Sequence, residues 1–318
     1  MSCTPTHRRT AASVLLLLVA TAAVGATAVV RGVDPVRVTA ATADSLRAAY
    51  AHDRAAAEKD LKEGATSYLA AVARRDFGEA RSLVVGRAAD SDLRVDDPAF
   101  APHHLRVTVA GDSFRVQAID DTAHFRTPDG SVRRSAMVPP SFLRVGRFNV
   151  RLSHQRFPAL IVFDPQSPHF GSYHGLTWYP VDPAYRFVAP LTRNPHADTT
   201  IIMSTRGNAR RAVLAGWFDL RVQGTSVRLE AHRLLEPGVD EHSVSVFFRD
   251  ATTGKETYAV GRYVDPERQP DGRWLVDFNS AYNPACAVSP YYNCPIPSRA
   301  NTLKIAIRAG EKDSHYTH

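Results

Sequence analysis

Two periodicities divide the chain. Over residues 42–75 the apolar positions Leu46, Tyr50, Ala57, Leu61, Tyr68 and Val72 fall on one helical face, with Arg, Glu, Lys and Asp opposite. That is the 3.6-residue repeat of a packing face. It predicts a helical segment over 42–76, divided into two helices by Gly64-Ala65-Thr66-Ser67. From Ser82 the repeat changes to two. Leu83-Val84-Val85, Leu93-Arg94-Val95, Leu105-Arg106-Val107-Thr108-Val109 and Phe114-Arg115-Val116-Gln117-Ala118 are short runs between turns such as Ala110-Gly111-Asp112 and Pro128-Asp129-Gly130. Short alternating strands punctuated in this way predict a sandwich.

The alternation continues to the end of the chain. Phe142-Leu143-Arg144-Val145 and Phe148-Asn149-Val150-Arg151-Leu152 predict a hairpin across Gly146-Arg147, and 159–163 is a continuous apolar run, the mark of a strand covered on both faces. Further strands are expected over 200–204, 212–220, 226–231, 243–249, 257–264 and 274–278. Leu303-Lys304-Ile305-Ala306-Ile307-Arg308 reads as a closing, half-buried strand. The fold class expected is therefore mainly β: an antiparallel β-sandwich or barrel following an N-terminal membrane or signal segment and a short helical region. The expected organisation is an N-terminal segment over 1–31, the helical part over 42–76, a sandwich-like subdomain over 80–152, a C-terminal β domain over 153–312 and a tail over 313–318.

The N-terminus sets the compartment. His7-Arg8-Arg9 precedes an uncharged, mainly apolar run over residues 11–30, closed by Arg31. A basic flank and an apolar run are shared by export signals and anchors. Ala26-Thr27-Ala28 offers a cleavage site, but the run is long enough to span a bilayer with Arg8 and Arg9 inside. An uncleaved anchor through residues 11–30, with a single pass and an extracytoplasmic domain, is the favoured expectation; a cleaved signal and a secreted protein is the alternative. Net charge is +7, with basic residues scattered among acids, a solvated surface without a nucleic-acid stripe or recognition motif. A hydrophobic content of 44% suffices for a packed core.

Two irregular segments interrupt the strands. Residues 164–193 hold His169, Tyr173, His174, Trp178, Tyr179, Asp182, Tyr185 and Arg186 among Pro and Gly. Residues 277–297 hold Asn279, Tyr282, Asn283, Pro284, Pro290, Tyr291, Tyr292, Asn293, Pro295 and Pro297. Such a density of Pro and Asn excludes a regular helix, and long loops that keep aromatic content are packed and often functional. Each segment reads either as a plug filling one end of a sandwich or as a ligand site. Cys286 and Cys294 lie in the second. They suit a local disulfide, which export would permit, or buried thiols, and no CxxC or HxxxH set accompanies them to bind zinc. Neither a metal nor a cofactor is expected. P-loop, dinucleotide and HExxH motifs are absent, and Gly171-Ser172-Tyr173-His174-Gly175 lacks a central serine.

DFNSAYNPACAVSPYYNCPIP, preceded by TGKETYAVGRYVD and followed by AIRAGEK, resembles the signature of the bacterial domain of unknown function 1684 (DUF1684) family. HGLTWYPVDPAYRFVAPL over 174–191 resembles that family's other hallmark. The resemblance spans most of residues 80–312 and implies no reaction, since the family has no established activity. Where relatives carry a Glu-Asn pair after the loop, this chain has Ser298-Arg299-Ala300-Asn301. VVGRAADSDLRVDDPAFAPHHLRV also resembles the opening strands of a forkhead-associated domain within 82–120, with Gly86-Arg87 and His104. The position of that domain's phosphothreonine-binding serine is Ala101, so the likeness implies strand geometry only.

These readings leave two functions. One is a non-catalytic envelope protein whose β domain binds a small molecule, glycan or peptide between 174–186 and 282–294. The other is a hydrolase using His174 with an Asp or Tyr at the same mouth, and missing motifs favour binding. The residues expected to face the ligand are His174, Tyr185, Arg186, Arg262, Tyr282 and Asn283. Arg262 enters because it stands in a family-like block before the loop; its structural alternative is an Arg–Asp pair.

Overall fold

A computed structural model describes residues 32–154, 156–196 and 198–315. The expected anchor over 11–30 lies outside the described residues; among those, no helix is long and apolar enough to cross a membrane. The chain is mainly β, built of several antiparallel sheets and one long helix, and none of these sheets closes into a barrel.

The first β unit is a sandwich. A six-stranded sheet runs in the order Ala71–Asp76, Pro158–Phe163, Phe148–His154, Ser141–Val145, Phe125–Arg126, Val132–Arg133. It faces a five-stranded sheet of Leu93–Arg94, Ser82–Gly86, Leu105–Ala110, Ser113–Ala118 and Ser135–Val138. Alternate residues of both, among them Leu83, Val85, Val107, Phe114, Leu143, Val150 and Val162, meet in one core, as strand pleating requires. The hairpin turns at Gly146, whose φ of 56° suits glycine. Pro158–Phe163 is covered on both faces: Leu160 and Val162 enter the sandwich core, while Ile161 and Phe163 enter a second cluster with Ala70 and Ala71.

The second unit is organised on a long hairpin, Ala209–Val222 with Thr225–Leu234. Gln223 and Gly224 form its turn with φ of 49° and 77°, the left-handed pair that matches strand twist. Arg186–Ala189 pairs with Trp274–Asp277, and Val246–Phe248 with Arg262–Val264. Phe187, Phe218, Leu229, Phe248, Val276, Phe278 and Ile307 pack between these pieces.

Two expectations fail in instructive ways. The helix Ala40–Glu63 forms, but the second helix does not: after a 3-10 turn over Tyr68–Ala70, Ala71–Asp76 is a strand against Pro158–Phe163. Ala and Arg are strong helix formers, but intrinsic propensity is worth only tenths of a kcal/mol per residue, and pairing with the Pro158–Phe163 strand overrides it. Residues 303–308 alternate, yet they form no ladder. Leu303 N donates to Arg249 O, Ala251 N to Ile305 O, and Ile307 N to the Asp250 carboxylate instead.

Candidate functional site

The irregular segments are drawn together by the end of the chain. Residues 310–312 run between them. On one side Tyr179 N donates to Gly310 O at 2.9 Å and Lys312 N to Thr177 O at 2.8 Å; on the other Glu311 N donates to Ala281 O at 2.8 Å. Tyr263 and Tyr282 exchange backbone bonds of 2.9 and 3.0 Å, which joins this short ladder to the core strand Arg262–Val264. Gly310 makes the approach possible. Its φ is +79°, and a Cβ there would stand 2.5 Å from Ala281 O and 2.7 Å from Phe278 O.

Against this ladder lies a cavity of about 360 Å³. Leu176, Trp178, Tyr282 and Val288 form its walls, and Ala57 and Leu61 of the long helix, with Tyr68, cover it. Its charged lining residues are Glu311 and Asp60. Glu311 is 4% exposed. Its Oε2 accepts from Asn283 N and its Oε1 from Asn283 Nδ2, each at 2.9 Å. Burial pushes its carboxyl up to about 7, while the Asn283 bonds and the nearby Arg262 charge pull the other way. Asn283 Nδ2 also reaches Lys312 O at 2.8 Å, but its Oδ1 is buried without a hydrogen-bond partner in the protein.

The helix over the cavity is attached by polar contacts, and Ala43 is its buried residue. Tyr50 OH donates to Asp277, Arg54 Nη1 to Tyr179 O at 3.2 Å, and Tyr173 OH and Leu176 N to Glu58, both at 2.5 Å. The Arg54 guanidinium also lies 4.7 Å from the Trp178 ring centroid, within cation–π range.

Of the residues expected to face a ligand, Tyr282 and Asn283 line this cavity. Tyr282 OH donates to Asp265 at 2.8 Å. Arg186 lines a neighbouring cavity of about 220 Å³ and pairs with Asp277 at 3.1 Å. Tyr185 is in the core, its hydroxyl taking a bond from Gln223 Nε2 at 2.6 Å. His174 has Nε2 2.7 Å from Ser314 O and Nδ1 3.3 Å from Ser172 O. Arg262 turns inward: Nη2 meets Asp250 and Ile307 O, and Nη1 meets the carbonyls of Ala309 and Glu311. Trp178, named within the aromatic segment but not among the ligand-facing residues, lines the cavity, and so does Glu311, which the sequence reading did not single out. The available signal for Glu311 was its place beside a glycine in the AIRAGEK block.

The expected disulfide is not formed. Cys286 and Cys294 are thiols, and Cys286 N donates to Cys294 Sγ at 3.3 Å. Hydrogen bonds hold the loop instead: Cys294 N to Thr205 Oγ1 at 3.0 Å, Thr205 N to Cys294 O at 2.9 Å, Tyr258 OH to Cys286 O at 3.0 Å, and Tyr263 OH to Pro295 O. Among the described residues no group of three or more His, Cys, Asp or Glu is placed to hold a metal.

The family model for proteins of unknown function (DUF1684) matches residues 171–312. The chain belongs to the DUF1684 family. The match covers both irregular segments and residues 310–312 but leaves the sandwich outside, which is narrower than the span over 80–312 read from the sequence. The solution NMR structure of an uncharacterized protein of Haloarcula marismortui is 32% identical, over 46% of this chain and 80% of its own, with a TM-score of 0.38. A structure described for phosphothreonine-dependent FHA domain interactions is 18% identical, over 29% of this chain and 95% of its own, with a TM-score of 0.20. Mycobacterium tuberculosis EmbR in complex with a low affinity phosphopeptide is 12% identical, over 39% of this chain and 31% of its own, with a TM-score of 0.21. The likeness to forkhead-associated domains is thus weak. No curated protein matches.

Proposed function

We propose that this DUF1684 protein is a non-catalytic binding protein whose C-terminal unit takes a small, mainly apolar molecule into the cavity beneath the long helix. The observation that carries the reading is the composition of that cavity: aliphatic and aromatic walls around one buried polar pair, Glu311–Asn283. Ligand pockets combine apolar walls with a few placed polar groups in this way, in volumes of roughly 300–1,000 Å³. A glycan or an extended peptide would find few polar partners on these mainly apolar walls. The hydrolase alternative draws less support, because the ring nitrogens of His174 face the carbonyls of Ser172 and Ser314. The apolar run over 11–30 would hold the binding unit at the outer face of the membrane, which alkaline extraction of membranes would test.

Titration of the full chain with N-phenyl-1-naphthylamine, an uncharged fluorophore, tests the pocket. Saturable binding at one site, abolished by Leu61→Arg, is expected. Binding that Leu61→Arg leaves unchanged would place the probe elsewhere and overturn the reading.

A further inference from the structure

Resting on that reading, we propose that the ligand is an organic cation, an ammonium group on a compact apolar body, whose nitrogen is taken by Glu311. In a chain of net charge +7, both charged residues lining the cavity are acids, Glu311 at the floor and Asp60 on the covering helix. Asp60 has no ion-pair partner among the described residues. The nearest buried cation, Arg262, is already committed to Asp250 and to three carbonyls. Its charge is balanced by Asp250, so Glu311 is left without a side-chain cation bonded to it.

The hydrogen-bonding inventory points the same way. Glu311 offers two carboxylate oxygens with one Asn283 donor on each. Beside it Asn283, itself 8% exposed, has its carbonyl oxygen without a partner. The site holds more acceptors than donors, and an ammonium group supplies donors and no acceptor. Tyr68 and Tyr282 add rings that attract a cation and repel an anion, while Trp178 already carries the Arg54 guanidinium. Burial raises the Glu311 carboxyl to about 7 against the pull of the Asn283 bonds and the Arg262 charge; the ligand's ammonium would take the place of the proton bound below that pH.

Calorimetric titration of the full chain at pH 8 with three probes of one shape tests the assignment: 2-phenylethylammonium, 2-phenylethanol and phenylacetate. The ammonium is expected to bind roughly tenfold more tightly than the alcohol, as a charge-assisted bond replaces a neutral one, with phenylacetate weakest. Glu311→Gln should abolish the preference while the alcohol still binds, which also shows that the variant is folded. Asp60→Lys, on the surface of the helix, should weaken the ammonium alone. Equal affinity for ammonium and alcohol, tighter binding of phenylacetate, or a preference that survives both substitutions would overturn the cation assignment. Those results, with saturable uptake of N-phenyl-1-naphthylamine, would leave the pocket standing. No uptake of any probe would overturn both.

Discussion

Arg262 and Asp250 form an ion pair at 3.1 Å, with side chains 1% and 0% exposed. The same guanidinium fans out to the carbonyls of Ile307, Ala309 and Glu311, so one side chain fastens the end of the chain to the C-terminal core. Residues 303–308 join no regular ladder, and this clasp fastens the segment that follows them.

Arg262→Lys should therefore not be conservative. A lysine keeps the charge but loses the planar fork that serves several acceptors at once. Each buried carbonyl left without its donor costs roughly 1–3 kcal/mol, so the loss of two such bonds amounts to about 2–6 kcal/mol. Urea denaturation of the variant should show a loss of that order, and a change below about 1 kcal/mol would count against the clasp.

Glu311 makes stability depend on pH. Its carboxyl is pushed up to about 7 by burial, above an ordinary value of 4.5, so between these values the folded protein binds more protons than the unfolded chain. The stabilisation is complete below about 4.5 and lost as pH rises through about 7, with a size of roughly 3 kcal/mol. Comparing denaturation at pH 5 and pH 8, Glu311→Gln should flatten this slope. In the wild type, 2-phenylethylammonium should bind more strongly as pH rises through about 7, whereas 2-phenylethanol should not.

Gly310 and Gly272 have the same left-handed backbone, with φ of +79° and +83°, but differ in surroundings. A Cβ at 272 meets open space, while one at 310 meets the carbonyls of Ala281 and Phe278. Gly272→Ala should cost about 1 kcal/mol, the conformational part alone. Gly310→Ala should cost several times more and weaken probe binding, because the ladder behind Glu311 must open. Equal losses in the two variants would remove the close-approach argument.

The covering helix should loosen before the core does. Glu58 accepts from Tyr173 OH and Leu176 N, and the helix buries little apolar surface. Glu58→Ala should speed hydrogen exchange at the Leu176 amide and along Ala40–Glu63 at least tenfold, while the melting temperature moves by only a few degrees.

Local pattern carried the sandwich but not the site. The hairpin across Gly146 was legible because alternation and a turn residue coincide in adjacent sequence. Ala71–Asp76 was not, because an Ala- and Arg-rich stretch takes its strand form from a partner beginning at Pro158. Residues 303–308 had the alternation of a strand without a neighbouring ladder to join. At the site, Tyr282 and Asn283 stood out within an unusual loop. Glu311 did not: its burial arises only where 177–179, 281–283 and 310–312 lie side by side, and no single segment records that. Arg262 was close to the loop in sequence and turned away from the cavity in space.

Both ends of the described chain close the same unit. Val33 exchanges backbone bonds with the long hairpin, through Asp219 O at 2.9 Å and Arg221 N at 2.7 Å, and Val36 N reaches Arg186 O. The carbonyls that Arg262 needs are at 307–311, close to the other end. Contacts so distant along the chain form slowly. While the polypeptide is being synthesised, Asp250 and Arg262 leave the ribosome before the residues that complete their shell. The sandwich can fold as soon as it emerges. The family region must wait, with its core faces uncovered, until residues 307–311 have emerged.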